Sequence, residues 1–177
     1  RAKSLASVPV SPFYNIINRV AFPIYARVQD SYEKIKDGFL KSLDILFFIS
    51  IPIAFLFLEA GNRIILILLG IKWIEIDIIL KIITVTFAAS AFSSAALPVF
   101  NAIGKPAVRF WIMLTNLAAL SIALFILAPL YGVIGAAASI LLTAVITSLV
   151  SASILMRLLP LKLLETIKPT IVPFAAS

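Results

Sequence analysis

EAGNRIILILLGIKWIEIDIILK, Glu59 to Lys81, lies between two long apolar runs and carries charge at both of its ends. Its own apolar island, Ile64 to Leu69, is six residues long, is closed by Gly70 and is followed by Lys72 and Trp73. A helix needs ~20 apolar residues to cross a bilayer. Six cannot do so. The stretch is therefore expected to lie along the membrane surface over about 62–70 and to join two spanning helices. The chain is then a polytopic membrane protein, to be read with lipid as its solvent.

The composition points the same way. Of the 177 residues, 62% are hydrophobic and 13% charged. Soluble domains carry about 25% charged residues, and no soluble fold of this length hides so much apolar surface. The formal net charge of +7 comes from basic residues placed mainly at the ends of apolar runs, where they anchor and orient helices. No basic run is interleaved with aromatics, so nucleic acid is not an expected partner. The absence of Cys and His removes thiolate nucleophiles, imidazole bases and the usual zinc ligands from this stretch. No catalytic residue, metal or cofactor is expected, and the chain does not read as an enzyme. It opens on Arg1 and closes inside a new apolar run, Thr170 to Ala176. It is expected to be a piece of a longer transporter-like protein.

Outward from the opening stretch, the hydropathy predicts an all-α transmembrane bundle of about five spans and the start of a sixth. The spans fall at about 8–26, 39–58, 74–101, 108–127 and 133–156, with a second interfacial segment at about 158–168. In the first span Ser7, Ser11, Asn15 and Arg19 recur every four residues, with Asn18 beside them. They form one helical face. A polar face with an arginine does not turn to lipid cheaply, so it should face the bundle interior or a water-filled cavity. In the second span Asp44 stands three residues after Lys41, and Pro52 predicts a kink. In the third, Asp77 and Lys81 are four apart and suited to an ion pair, and Thr86, Ser90 and Ser94 form a polar stripe. Asn101, Gly104 and Pro106 mark a turn, and APLYG, Ala128 to Gly132, a second one without charge. The last two spans should form an antiparallel hairpin. Ser139, Thr143, Thr147 and Ser151 are also spaced by four, a pattern expected to serve close helix packing.

Basic residues set the orientation. Arg27, Lys34, Lys36, Lys41, Lys105, Arg109, Arg157, Lys162 and Lys168 fall on one side of this topology. Arg1, Lys3, Arg63, Lys72 and Lys81 fall on the other. The richer side should be cytoplasmic.

The order of several short signatures resembles a known family. RAKSLASVP opens the chain, RVAFPIYARVQD begins at Arg19, and IPIAF lies at 51–55. ILLGIKW follows at 67–73, NAIGKP at 101–106 and LAPLYGVIGAA at 127–137. Together they resemble the polysaccharide transporter branch of the multidrug/oligosaccharidyl-lipid/polysaccharide flippase superfamily, over nearly the whole chain. The resemblance implies two pseudo-symmetric helical lobes around a central cavity, this chain being most of the second. The N-terminal lobe of the same protein would then be a partner. It implies multi-pass residence in the bacterial cytoplasmic membrane. It also implies alternating-access flipping of a lipid-linked oligosaccharide of the undecaprenyl-diphosphate type. Arg19, Asn15, Asn18 and Lys81 are the substrate-binding candidates, a guanidinium being suited to phosphate oxygens. Asp44, Lys41 and Asp77 are candidates for a coupling site or a structural ion pair. The competing readings are a multidrug or metabolite exporter of the same superfamily, and a membrane scaffold without transport activity. An exporter of cations tends to need carboxylates in its cavity, whereas the deep ionisable residue here is Arg19.

Overall fold

In lipid every backbone N–H and C=O must be satisfied within the chain, so a stretch this apolar has the helix as its natural solution. The structure, a computed structural model, describes residues 32–68 and 70–158, and every regular element among them is helical. The first, α1 (Tyr32–Leu68), is a single 37-residue helix with Glu33 in its first turn and Pro52 inside it. Its inward stripe is Ile35, Phe39, Leu43, Leu46, Ser50, Ala54 and Ile65. The steps of three and four residues as far as Ala54, and the eleven residues (about three turns) from there to Ile65, are those of one helical face. Phe48 and Phe55, off that stripe, are exposed, as suits side chains in contact with lipid. Residues 62–68, expected along the membrane surface, continue α1 without a break.

The break comes at Gly70, whose φ of 87° lies where side-chain-bearing residues rarely go. Its N–H closes α1 on the carbonyl of Ile65 at 3.1 Å. A 3-10 segment, Ile71–Ile76, leads into α2 (Asp77–Ala89), which has Asp77 in its first turn. An acid there complements the helix dipole. Ser90 is the joint between α2 and α3 (Ala91–Ala102). Backbone bonds from Ser90 to Thr86 and from Ser94 to Ser90 carry the ladder across the joint. The chain then turns at Gly104, with Lys105 N–H on Phe100 O and Gly104 N–H on Asn101 O. This paired closure is the Schellman arrangement. Pro106 follows as the first residue of the next helix, where its missing N–H costs nothing.

That helix, α4 (Pro106–Leu158), is broken at Gly132, which has φ 59° and ψ −132°. Residues 106–131 and 133–158 are its two arms. Asn116 and Thr147, 31 apart in sequence and flanking Gly132 almost symmetrically, are hydrogen-bonded at 2.7 Å. The arms therefore fold back on each other as the expected hairpin. At the bend Gly135 lies so close to Leu127 that a Cβ would sit 2.0 Å from its carbonyl oxygen.

The elements stack in layers. α1 packs on α2 and α3, and α2 and α3 pack on α4. Among the described residues α1 touches only this middle layer and the 3-10 turn. The core joins Phe39 and Leu43 of α1 to Ala95, Ala96, Val99 and Phe100 of α3, and reaches Ile112 and Leu155 of α4. Phe39 meets Phe92 edge to face with centroids 5.4 Å apart. The small residues of α3 let the helices approach closely. Three stretches are long and apolar enough to cross a membrane: Glu33–Leu68, Ile71–Ala102 and Pro106–Leu158.

Candidate functional site

Two places in the described residues gather polar groups inside this apolar frame. The first is where α1 passes the start of α2. Asp77 and Lys81 lie one turn apart on α2, and Lys81 Nζ meets Asp77 Oδ2 at 2.7 Å. Both side chains are partly buried. Gly61 of α1 is packed against the pair: a Cβ on it would stand 2.8 Å from Asp77 Oδ1 and 3.8 Å from Lys81 Cε. Asp77 Oδ1 is buried and accepts no hydrogen bond. The carboxylate is thus held by one cation and by the shape of α1.

Asp44, on α1, has its Oδ1 buried without a hydrogen-bond donor. Lys41 is exposed, and no ion pair joins it to Asp44 among the described residues. Arg19, Asn15 and Asn18 lie outside the described residues.

The second place is a half-open cavity of about 470 Å³ lined by α2, α3 and both arms of α4. That volume falls in the range of small-molecule sites, ~300–1,000 Å³. Its polar lining is Thr86 and Ser90 from the α2 end, Ser93 and Ser94 from α3, Asn116 from the first arm, and Thr143 and Thr147 from the second. The rest is apolar, with Ile83, Phe87, Leu97, Ile112, Met113, Leu120 and Ile140. Among the described residues no charged side chain lines it.

The hydrogen bonds around this cavity have one sense. Thr86 Oγ1 donates to Ile82 O at 2.7 Å, Ser90 Oγ to Phe87 O at 2.9 Å and Ser93 Oγ to Ser90 O at 2.9 Å. Thr143 Oγ1 donates to Ser139 O, and Thr147 Oγ1 to Thr143 O at 2.8 Å. A carbonyl only accepts, so the hydroxyl proton is spent in each case. Back-bonding of this kind bends helices, and Ser90 stands at the α2–α3 joint. Because Thr147 Oγ1 already donates, it can only accept from Asn116, which fixes Nδ2 as the donor. Ser148 Oγ ties the second arm to Ala89 O at the joint, at 2.6 Å.

The stripes at 86–94 and 139–151 and the lone Asn116 are legible separately in the sequence. Their meeting is not, because it depends on which way the α4 hairpin folds onto α2 and α3. The span-five stripe does serve packing, with Ser139, Thr143, Thr147 and Ser151 all buried, and it supplies one wall of the cavity as well. Among the described residues no group of three His, Cys, Asp or Glu converges as metal ligands would.

Comparison with known proteins gives matches in sequence. The family model described as polysaccharide biosynthesis protein matches residues 1–79. The lipopolysaccharide biosynthesis protein WzxC of Escherichia coli (strain K12) is 32% identical over 84 residues. The teichuronic acid biosynthesis protein TuaB of Bacillus subtilis (strain 168) is 29% identical over 84 residues. Each alignment covers 48% of this chain and 17% of the relative. NAIGKP and LAPLYGVIGAA lie outside the stretch that the family model matches. No solved structure matches.

Proposed function

We propose that the chain is part of a membrane transporter that flips a lipid-linked oligosaccharide, a polysaccharide precursor, across the bacterial cytoplasmic membrane by alternating access. The observation that carries this reading is the match of the polysaccharide biosynthesis model to residues 1–79, which include Arg19 and all of α1. The long apolar helices supply the membrane frame that such a transporter needs. Each arm of α4 has 26 residues, a length of ~39 Å against the ~30 Å of a bilayer's hydrocarbon core. With α1, the 71–102 unit and a span at about 8–26, that makes five crossings in one lobe of a two-lobed protein.

In this reading Arg19, with Asn15 and Asn18 on its face, holds the anionic diphosphate of an undecaprenyl-type carrier. Lys81 adds positive potential near the start of α2, where its pairing with Asp77 leaves it a supporting part. Asp44, with its unsatisfied oxygen, is the candidate coupling group.

The test is Arg19→Ala in the full-length protein. Surface polysaccharide should be lost while the amount of protein in the membrane stays unchanged. Normal polysaccharide at normal protein level would overturn the arginine's role. Normal polysaccharide after deletion of the whole gene would overturn the function.

A further inference from the structure

We infer that the cavity between α2, α3 and the α4 hairpin receives the uncharged, hydroxyl-bearing head of a membrane-borne glycolipid and excludes phosphate. This rests on the flippase reading for its biological setting, but its chemistry comes from the lining alone. Five lining hydroxyls, on Thr86, Ser90, Ser93, Thr143 and Thr147, have given their protons to backbone carbonyls. What they offer the cavity is lone pairs. Asn116 has turned one N–H to Thr147, which leaves its Oδ1 as a further acceptor and its second N–H as a single donor in a lining otherwise rich in acceptors. A polar surface of this kind is satisfied by a ligand that brings donors.

Sugar hydroxyls bring donors. A phosphate dianion brings acceptors only, and among the described residues no Lys or Arg lines the cavity to offset its desolvation. A bare cation would also find acceptors. It would meet no carboxylate here, and the cavity is many times the ~30 Å³ share of a single water. The apolar part of the lining, Ile83, Phe87, Leu97, Met113, Leu120 and Ile140, fits the first methylenes of a lipid chain. These features favour an amphipathic ligand over a free sugar. A division of labour follows within one cargo: the saccharide sits against α2–α4 and the diphosphate goes elsewhere, to the arginine-bearing polar face expected in the first span.

The test uses the full-length protein in native membrane vesicles, free of cysteine except for one introduced reporter. Thr86→Cys and Leu120→Cys place reporters on two different lining elements, α2 and the first arm of α4, so that one remains if the other fails to fold. Phe125→Cys, on the exposed outer side of α4, is the control. Alkylation by N-ethylmaleimide is followed with dodecyl maltoside, dodecyl phosphate or maltose present, below the solubilising concentration. A pH of about 8 keeps the phosphate doubly ionised. Dodecyl maltoside should slow alkylation at both cavity sites and leave Phe125→Cys unchanged, and dodecyl phosphate should not slow it. Adding Asn116→Leu should weaken protection by about fivefold, the worth of one neutral hydrogen bond of ~1 kcal/mol. Equal protection by dodecyl phosphate, or none by either amphiphile, overturns the assignment. Protection by maltose at the same concentration as dodecyl maltoside overturns the membrane-borne source. Export assayed in cells deleted for the gene separates the two readings. Export that survives deletion removes the flippase function without touching the protection result, and absent protection with gene-dependent export removes only the cavity's ligand.

Discussion

Gly61 sets how near α1 comes to the start of α2. The 2.8 Å separation between a Cβ at this position and Asp77 Oδ1 is shorter than any ordinary carbon–oxygen contact, so a side chain here must push the carboxylate away from Lys81. Gly61→Ala sets an overpacking cost, held toward the low end of roughly 1–3 kcal/mol because the displaced oxygen ends a side chain, against the ~1 kcal/mol that alanine gains over glycine inside a helix, for a net loss of about 0–2 kcal/mol. The overpacking cost should largely disappear in an Asp77→Ala background. Thermal unfolding of the four combinations in detergent measures the coupling, and additive losses would place the strain elsewhere. The ion pair itself gives a second comparison. Removing Lys81 alone leaves a partly buried carboxylate without its cation, whereas removing both partners leaves none. Lys81→Ala should therefore lower the melting temperature more than Asp77→Ala with Lys81→Ala. The pair is legible in the sequence, because residues four apart on a helix are neighbours. Gly61 is not, since it meets Asp77 through tertiary packing. Asp44 is the opposite case. Its spacing from Lys41 invited a pair, yet the lysine is exposed and none forms among the described residues.

Among elements, the α4 hairpin depends on two glycines for different reasons. Gly132 takes φ 59° and ψ −132°, a region essentially closed to residues with a Cβ, where strain is of order 1–3 kcal/mol. Gly135 has ordinary helical surroundings, but its missing Cβ is the space occupied by the Leu127 carbonyl, 2.0 Å away. An alanine at 132 can be absorbed by a local change of turn. An alanine at 135 must separate the arms and break the Asn116–Thr147 bond. Gly135→Ala should thus lower stability more than Gly132→Ala, and only the former should expose a cysteine placed at Ser139 to alkylation. An equal effect of both would mean that the bend tolerates a wider hairpin. Turn chemistry made these joints readable: the breaks at Gly70, Gly104 and Gly132 are the described residues with positive φ. The extent of α1 was harder to read. Glu59 and Arg63 look like the end of a span, but charge does not stop a helix; residues 62–68 continue it until the chain reaches Gly70. The joint at Ser90 carries neither Gly nor Pro, and only the back-bonded serine marks it.

Across the whole molecule, α1 acts as a ruler for topology. Lys34 lies in its first turns and Asn62 in its last, both exposed. The 28 residue steps from one to the other correspond to ~42 Å of helix, more than the ~30 Å hydrocarbon core. The two positions should therefore lie on opposite sides of the membrane, whichever way the protein faces. The distribution of basic residues then chooses the direction. The side holding Lys34, Lys36 and Lys41 also receives Lys105, Arg109 and Arg157 when the 71–102 unit and the two arms of α4 alternate in direction. Excess Lys and Arg marks the cytoplasmic face. In the full-length protein made cysteine-free, Asn62→Cys should react with a membrane-impermeant thiol reagent added outside intact cells. Lys34→Cys should react only after the membrane is opened. Reaction of both from outside would mean that α1 does not cross, and the flippase topology would fail with it. The reverse labelling would keep the crossing and invert the lobe, moving Lys105 and Arg157 outside. Because α1 is one continuous helix packed along α2 and α3, these two labels also fix the direction of the middle layer, and with it the side of the membrane toward which the Asp77–Lys81 end of α2 points.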